Sequence, residues 1–399
     1  MNAPVDVREH VTQSSMDEMF ERAWALVPVL RARAVETESI RRIPDETMAD
    51  LDRLGLFAAF SPPSFGGLGG DMHQFGNMVR VLAHGCASTA WVWGFLVGHN
   101  VALLQNTPHL LAGRPFVAAG ASAGVQGNPA VTATPVEGGW RVTGTWKFVS
   151  GIMNSDYALL VTLQDNGAEP PTPLGLVVAV TDGDIDDVWY FSGMKGTGSN
   201  TFHLNDVFVP ESQRWGVWGV EQLHPPIPDS NMNVSIVRLF DAVLTAATVG
   251  IVEAALDDFK NRVLTRTIGY GQGPQREHRE AWARYSDAVV RTRTARLLWD
   301  DLLNTISEPV RTGIANTPEQ GALVRLEASR VATLSREALN VIADGSGSSV
   351  HHESDPLQRG IRDIETIKSH ATLHWDHAAV TSGSLLLGLA DQVDPLIIG

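Results

Sequence analysis

The stretches GGWRVTGTWKFVSG (Gly138–Gly151) and GMKGTGSNTFHLNDVFVP (Gly193–Pro210) decide how the chain folds. Both are runs of Val, Thr and aromatic residues punctuated by Gly, Asn and Asp, the composition of short, half-buried strands. Just upstream, Val131–Val136, the turn EGG and Trp140–Val142 read as a hairpin. YALLVTLQ (157–164) and LGLVVAVT (174–181) continue the texture, so β structure is expected from about Arg114 to Leu223.

Helical patterns lie on both sides. MDEMFERAWALVPVLRARAVETESIRR (16–42) carries apolar residues at three- and four-residue spacing. Pro44 opens DETMADLDRLGLFAAF with acids in its first turn, and SPPSFGGLGGD is a Gly/Pro-rich break. MHQFGNMVRVLAHGCASTAWVWGFLVGHNVALLQ (72–105) is apolar nearly all round and predicts a pair of buried helices. After Ser235 come three long periodic segments (236–264, 278–306 and 319–344), then GSGSS, then a last helix expected from Asp363 to about Leu389. Helices, a small sheet, then helices make a mostly α, α+β chain rather than a doubly wound one. The expected domains are 1–112 (helical), 113–225 (β) and 226–399 (helical bundle).

Composition narrows the function. The 399 residues are 44% hydrophobic with a formal net charge of −15, which argues against nucleic acid or an anionic membrane as a partner. No uninterrupted apolar stretch reaches the ~18–20 residues of a membrane span, and MNAPVDVREHVTQSS is not a secretory signal, so a cytoplasmic protein is expected. Cys86 is the single cysteine, which excludes an internal disulfide, and no Cys/His cluster has zinc spacing. Neither a Rossmann nor a P-loop glycine pattern is present. Eleven tryptophans against four tyrosines suit a large core, and also a pocket for a flat ligand.

Four motifs in order, IPDETMADLDRLGLF with PPSFGGLGGD, GGWRVTGTWKFVSG, GMKGTGSNTFHLNDVFVP and PLQRGIRD, resemble the acyl-CoA dehydrogenase superfamily across nearly the whole chain. The resemblance implies an N-terminal helical domain, a central β-barrel-like domain, a C-terminal four-helix bundle, flavin between the last two, and a homotetramer. Many of the dehydrogenases carry a glutamate base in a Y-E-G-T stretch shortly after an R-D pair. Counting from Arg362-Asp363 puts Ala371 there, preceded by His370. Others take the base from a region near Ala254 or Ala255, where Glu253 stands close by.

The residues are more similar to the reduced-flavin oxygenases of that superfamily, such as the oxygenase component of p-hydroxyphenylacetate hydroxylase. Matching features are His99 in TAWVWGFLVGHN, the Trp146–Gly151 stretch and the R-D-x(6)-H run from Arg362 to His370. Ile152-Met153-Asn154 depart from the Cys and His that often follow the Ser-Gly pair, and Thr381-Ser382-Gly383 replaces a usual Tyr-Gly. The resemblance implies the oxygenase component of a two-component flavin monooxygenase. It would use reduced FMN or FAD and O2, through a C4a-hydroperoxyflavin, on a phenol- or indole-like substrate. A separate NAD(P)H:flavin reductase would supply the flavin. Alternatives are a dehydrogenase with a relocated base, an N- or S-oxygenating relative, or a non-catalytic flavin-binding protein.

Specific residues follow from that chemistry. Ser150 is expected beside flavin N5, with Trp146 and Phe148 alternating along the strand so that both face one side and wall the ring; ordinary core packing is the competing reading. His99 and His370 are the candidate bases for a phenol or indole proton, with His374 competing one turn beyond His370. The four-residue spacing of those two histidines, without a third ligand, is not enough for a metal site. Ser122 in AAGASAGVQG is placed against substrate or flavin. Arg238 could hold flavin carbonyls or a substrate acid, or pair with Asp241. Thr197 and Ser199, and Ser346, Ser348 and Ser349, are hydroxyls in Gly-rich loops suited to phosphate or ring-edge contacts.

Overall fold

The computed structural model describes residues 15–111, 119–123, 131–165, 172–217, 223–269, 271–390, 392–394 and 397, with backbone alone at 119 and 121–123. Helix α1 (Met16–Ile40) starts where Ser15 and Glu18 bond each other's backbone N–H. Pro44 precedes α2 (Asp45–Arg53), and Asp71 with Gln74 caps α3 (Met72–Ala83) reciprocally. In α4 (Ala87–Asn106) every residue from Ala87 to Asn100 is buried, as its lack of a polar face requires.

The strands are β1 (Ala119–Ala123), β2 (Thr132–Val136), β3 (Gly139–Val149), β4 (Tyr157–Gln164), β5 (Thr172–Ala179), β6 (Asp184–Asp186), β7 (Asn200–Pro210) and β8 (Arg214–Trp215). They form one mixed sheet in the order β6-β7-β3-β2-β4-β5-β8, with β1 running parallel to β4. The expected hairpin is β2–β3, turned at Gly138 with φ +79°. Strands β3 and β7, the two stretches that set the β texture, pair antiparallel from Gly139–Pro210 to Val149–Asn200. That ladder delivers Ser150 and Ser199 side by side.

Helices α5 (Ile236–Thr265), α6 (Arg279–Thr312) and α7 (Pro318–Ser346) pack pairwise, with α8 (Pro356–Ile367) against α5 and α7 and α9 (Trp375–Leu386) against α7. Helix α5 is long and apolar enough to cross a membrane by length and composition, yet 78% of its most apolar stretch is buried, and it packs against α3, α4, α6 and α7. One core joins the N- and C-terminal helices around Phe75, Trp93, Val243 and Trp299. A second fills the sheet around Trp140, Trp146 and Phe202, and a third joins α4 to the sheet through Leu103, Leu159 and Trp215.

The expected last helix is broken. Helix α8 begins at Pro356, capped by Asp355, and ends at Ile367; a turn over 368–374 separates it from α9. The carbonyls of Thr372 and Leu373 are taken by Arg325 and Ser329 of α7. Ser369 Oγ donates to Glu365 O, and His370 binds Thr372. These bonds capture groups that a continuing helix would have used. His370 and His374 therefore do not share a helix face, and His374 is exposed at the cap of α9.

Candidate active site

Helix α4 presents Trp91, Phe95 and His99 at i, i+4 and i+8, and their rings meet in series. The Trp91–Phe95 centroids are 5.1 Å apart and Phe95–His99 5.6 Å. Phe240 of α5 closes on this row, edge-on to Phe95 at 4.9 Å and to His99 at 6.1 Å. At the other end the His370 ring lies edge-on to Trp91 at 5.9 Å. The two predicted histidines thus bracket one aromatic row. Trp91, Phe95 and Phe240 escaped the sequence reading, although the four-residue spacing leading to His99 is a visible signal.

Ser150 joins the row through a chain of hydroxyls. Trp91 Nε1 donates to Ser150 Oγ at 3.2 Å; Ser150 Oγ lies 2.8 Å from Ser199 Oγ, which lies 2.7 Å from Thr197 Oγ1. Thr197 Oγ1 donates to Met194 O at 2.9 Å. A carbonyl only accepts and each hydroxyl has one proton, so the direction of every bond follows. Ser199 donates to Thr197, and Ser150 donates to Ser199. Ser150 is left with an acceptor lone pair and no free proton, so its expected partner is an N–H. Three predicted residues, Ser150, Thr197 and Ser199, are brought together here.

The backbone around Ser150 is bent to suit. Register shifts between Trp146 and Val149 mark a bulge, and Phe148 takes φ +61°, a left-handed value uncommon for a bulky residue. Trp146 and Phe148 consequently do not face one side. Trp146 is fully enclosed in the sheet core, its Nε1 bonded to Val161 O at 2.9 Å, so it walls no ligand. Phe148 is thrown outward, 62% exposed, beside Trp189 and Phe191. Gly151 follows at φ +73°, where a Cβ would lie 2.9 Å from Val92 of α4. A glycine here lets the strand end touch the aromatic helix.

The R-D pair anchors the hydroxyl loop. Met194 N donates to Asp363 Oδ1 at 2.5 Å, and Arg362 bonds Ser192 O and Glu38. Burial pushes Asp363 up to about 6 against the pull of the Met194 N–H. On the following turn, His370 Nδ1 lies 2.9 Å from Thr372 Oγ1 and accepts from Thr372 N at 3.3 Å. Donors on Nδ1 place the neutral ring's proton on Nε2. Burial lowers His370 to about 4, with the Arg325 guanidinium adding to the effect. With its Nδ1 lone pair taken by the Thr372 N–H, His370 presents Nε2–H.

Other predicted residues lie elsewhere. Arg238 spends its fork on Asp241 (3.1 Å) and on Ile397 O, so the pairing reading holds and the ligand-holding one does not. Ser346 is buried and donates to Ile342 O at 2.7 Å; Ser349 accepts from Arg262, and Ser348 is exposed. These serines sit near Asp355 at the start of α8, whereas His370 follows its end. Ser122 pairs with Leu160 along β1–β4, and its side chain lies outside the described residues. Glu253 faces Arg80, Arg296 and His84 at 2.5, 3.3 and 3.2 Å; despite burial, these partners hold it down at about 2, far too acidic for a proton-abstracting base.

A strained, exposed aromatic residue beside an acceptor hydroxyl and an aromatic row suits a flat ligand that carries an N–H. The sequence matches the acyl-CoA dehydrogenase N-terminal domain over residues 13–106 and its C-terminal domain over 242–375. It is 30% identical over 397 residues to a pigment production hydroxylase of a Rhodococcus species, covering 95% of this chain and 98% of that one. The FADH(2)-dependent resorcinol hydroxylase oxygenase component of a Rhizobium species is 26% identical, covering 97% and 96%. XiaF from a Streptomyces species, solved with FADH2 and glycerol, superposes with a TM-score of 0.85 at 25% identity, covering 98% and 100%. The chain belongs to the acyl-CoA dehydrogenase superfamily, among the oxygenase components of two-component flavin-dependent monooxygenases.

Proposed function

We propose that Ser150, Phe148 and the loop bearing Thr197 and Ser199 hold the ring of reduced FMN or FAD, and that the protein hydroxylates an aromatic or heteroaromatic substrate of phenol or indole type lying between His99 and His370. The observation that carries this reading is the direction of the hydroxyl chain. A lone pair on Ser150 matches the N5–H of a reduced flavin and opposes the N5 lone pair of an oxidised one. The bound flavin supplies two electrons and activates O2.

The chain's own residues do the rest. Ser150 holds the N5 proton in place. Phe95, Phe240 and Trp91 keep water from the reacting atoms. His370 donates from Nε2 to developing negative charge, and His99 takes the phenol or indole proton. A separate NAD(P)H:flavin reductase in the cytoplasm supplies the reduced cofactor. The sheet serves as the barrel-like domain of the superfamily, and the C-terminal helices as its four-helix bundle. Further copies cover Val290 and Leu297 on α6, Val380 on α9 and Leu387 at its C-cap, each more than half exposed, to make a homotetramer.

The test is a single turnover with chemically reduced flavin, 18O2 and a panel of phenols and indoles, read by mass spectrometry. One labelled oxygen in a product is expected. No incorporation from any member, with ferricenium-linked oxidation of an acyl-CoA instead, would overturn the reading.

A further inference from the structure

One turn past His99 along α4, at Ala102, lies a cavity of about 320 Å³, within the range of small-molecule sites. Its floor is set by Gly98 and Leu239: a Cβ on residue 98 would lie 1.9 Å from Leu239 Cδ2, so α4 and α5 meet there only because residue 98 is glycine. Their chain neighbours, His99 and Phe240, pack against each other. The cavity and the aromatic row are therefore neighbours built on the same two helices.

The lining is chemically one-sided. Val101, Ala102, Trp215, Met232, Ile236 and Leu239 supply apolar surface, and among the described lining residues none is charged. Gln105 spends its amide N–H groups on His224 O and Pro225 O, at 3.1 and 3.4 Å. Asn233 spends its own on Ile227 O and Ser230 O, at 2.7 and 3.1 Å. Both side chains keep a carbonyl oxygen, an acceptor with no bond from the described residues. A carboxylate entering here would meet acceptors and apolar walls with no cation to compensate its lost hydration. A neutral group carrying O–H or N–H would meet what it needs.

We infer that this cavity receives the non-reacting part of the substrate, and that the substrate is a neutral aromatic bearing an apolar extension that ends in a hydrogen-bond donor, not an aryl carboxylate. The inference rests on the proposal that the reacting ring lies beside His99.

The experiment uses the full-length protein and three matched probes: a 4-alkylphenol, the 4-(ω-hydroxyalkyl)phenol and the 4-hydroxyphenylalkanoate of equal chain length. Affinity is measured by equilibrium dialysis and oxygen transfer by single turnover, in wild type, Ala102→Arg and Val101→Arg. Ala102 and Val101 are partly exposed at the cavity wall, so either arginine can reach it. Wild type should bind the hydroxyalkyl probe at least tenfold more tightly than the carboxylate. Either arginine should narrow or reverse that ratio while the alkylphenol loses affinity. Carboxylate preference in wild type, or ratios unchanged in both folded variants, would overturn the inference. Preferential binding of the neutral probe without oxygen transfer would leave the cavity assignment standing and sink the proposed reaction instead.

Discussion

The Ser150 chain and the His370 turn lie on two sides of Trp91, and they are built from opposite materials. On one side neutral hydroxyls pass a single direction of hydrogen bonding from Trp91 to a backbone carbonyl. On the other, the turn is held by Arg325, wholly buried, which donates to Thr372 O and lies near Asp241, itself raised to about 6 by burial. The first arrangement fixes which proton sits where without charge. The second holds a neutral imidazole next to buried ions, and its energies should be larger and depend on pH.

The largest expected effect is on the charged side. Arg325→Ala should cost about 3–5 kcal/mol, because it removes the anchor of Thr372 and one of the cations facing Asp241. Urea unfolding checks this, and a loss below about 1 kcal/mol would mean that the turn does not depend on the ion. Next is the titration of His370. Its folded value of about 4 lies below the ordinary 6.5, so between those pH values the unfolded chain carries the extra proton. The His370 contribution is complete above pH 6.5 and is lost as pH falls toward 4. Across that window wild type should lose up to about 3 kcal/mol relative to His370→Asn. Parallel stability curves for the two proteins would contradict the burial argument.

The neutral side should respond less in stability and more in chemistry. Ser150→Ala should cost only about 1 kcal/mol of folding, while H2O2 release rises at the expense of hydroxylated product. The smallest effect has the opposite sign. Phe148→Gly removes a left-handed bulky residue and should stabilise the fold by about 1 kcal/mol while weakening flavin binding. A loss of both, or of neither, would break the link between strain and ligand.

The legibility of the sequence follows the same divide. The hydroxyl chain uses residues close to two readable motifs, and the β3–β7 ladder that joins them is coded in period-two alternation. That same alternation misplaced Trp146 and Phe148, because a bulge has no signature in side-chain pattern. The His370 turn was misread as helix because its breakers are long-range: Arg325 and Ser329 lie on another helix, and neither Pro nor Gly marks the stop. Arg238 was open to two readings for the same reason, since its partners Asp241 and Ile397 are a local acid and a distant carbonyl. The role of His370 depended on which nitrogen Thr372 occupies, which spacing does not encode.

The most direct test of the central claim is the ratio of affinities for reduced and oxidised flavin, titrated in wild type and in Ser150→Ala. An acceptor at Ser150 predicts that wild type binds the reduced form at least tenfold more tightly, a difference of about 1.4 kcal/mol, and that Ser150→Ala brings the two affinities together. Equal affinities in wild type, or a preference that survives the loss of the hydroxyl unchanged, would contradict it.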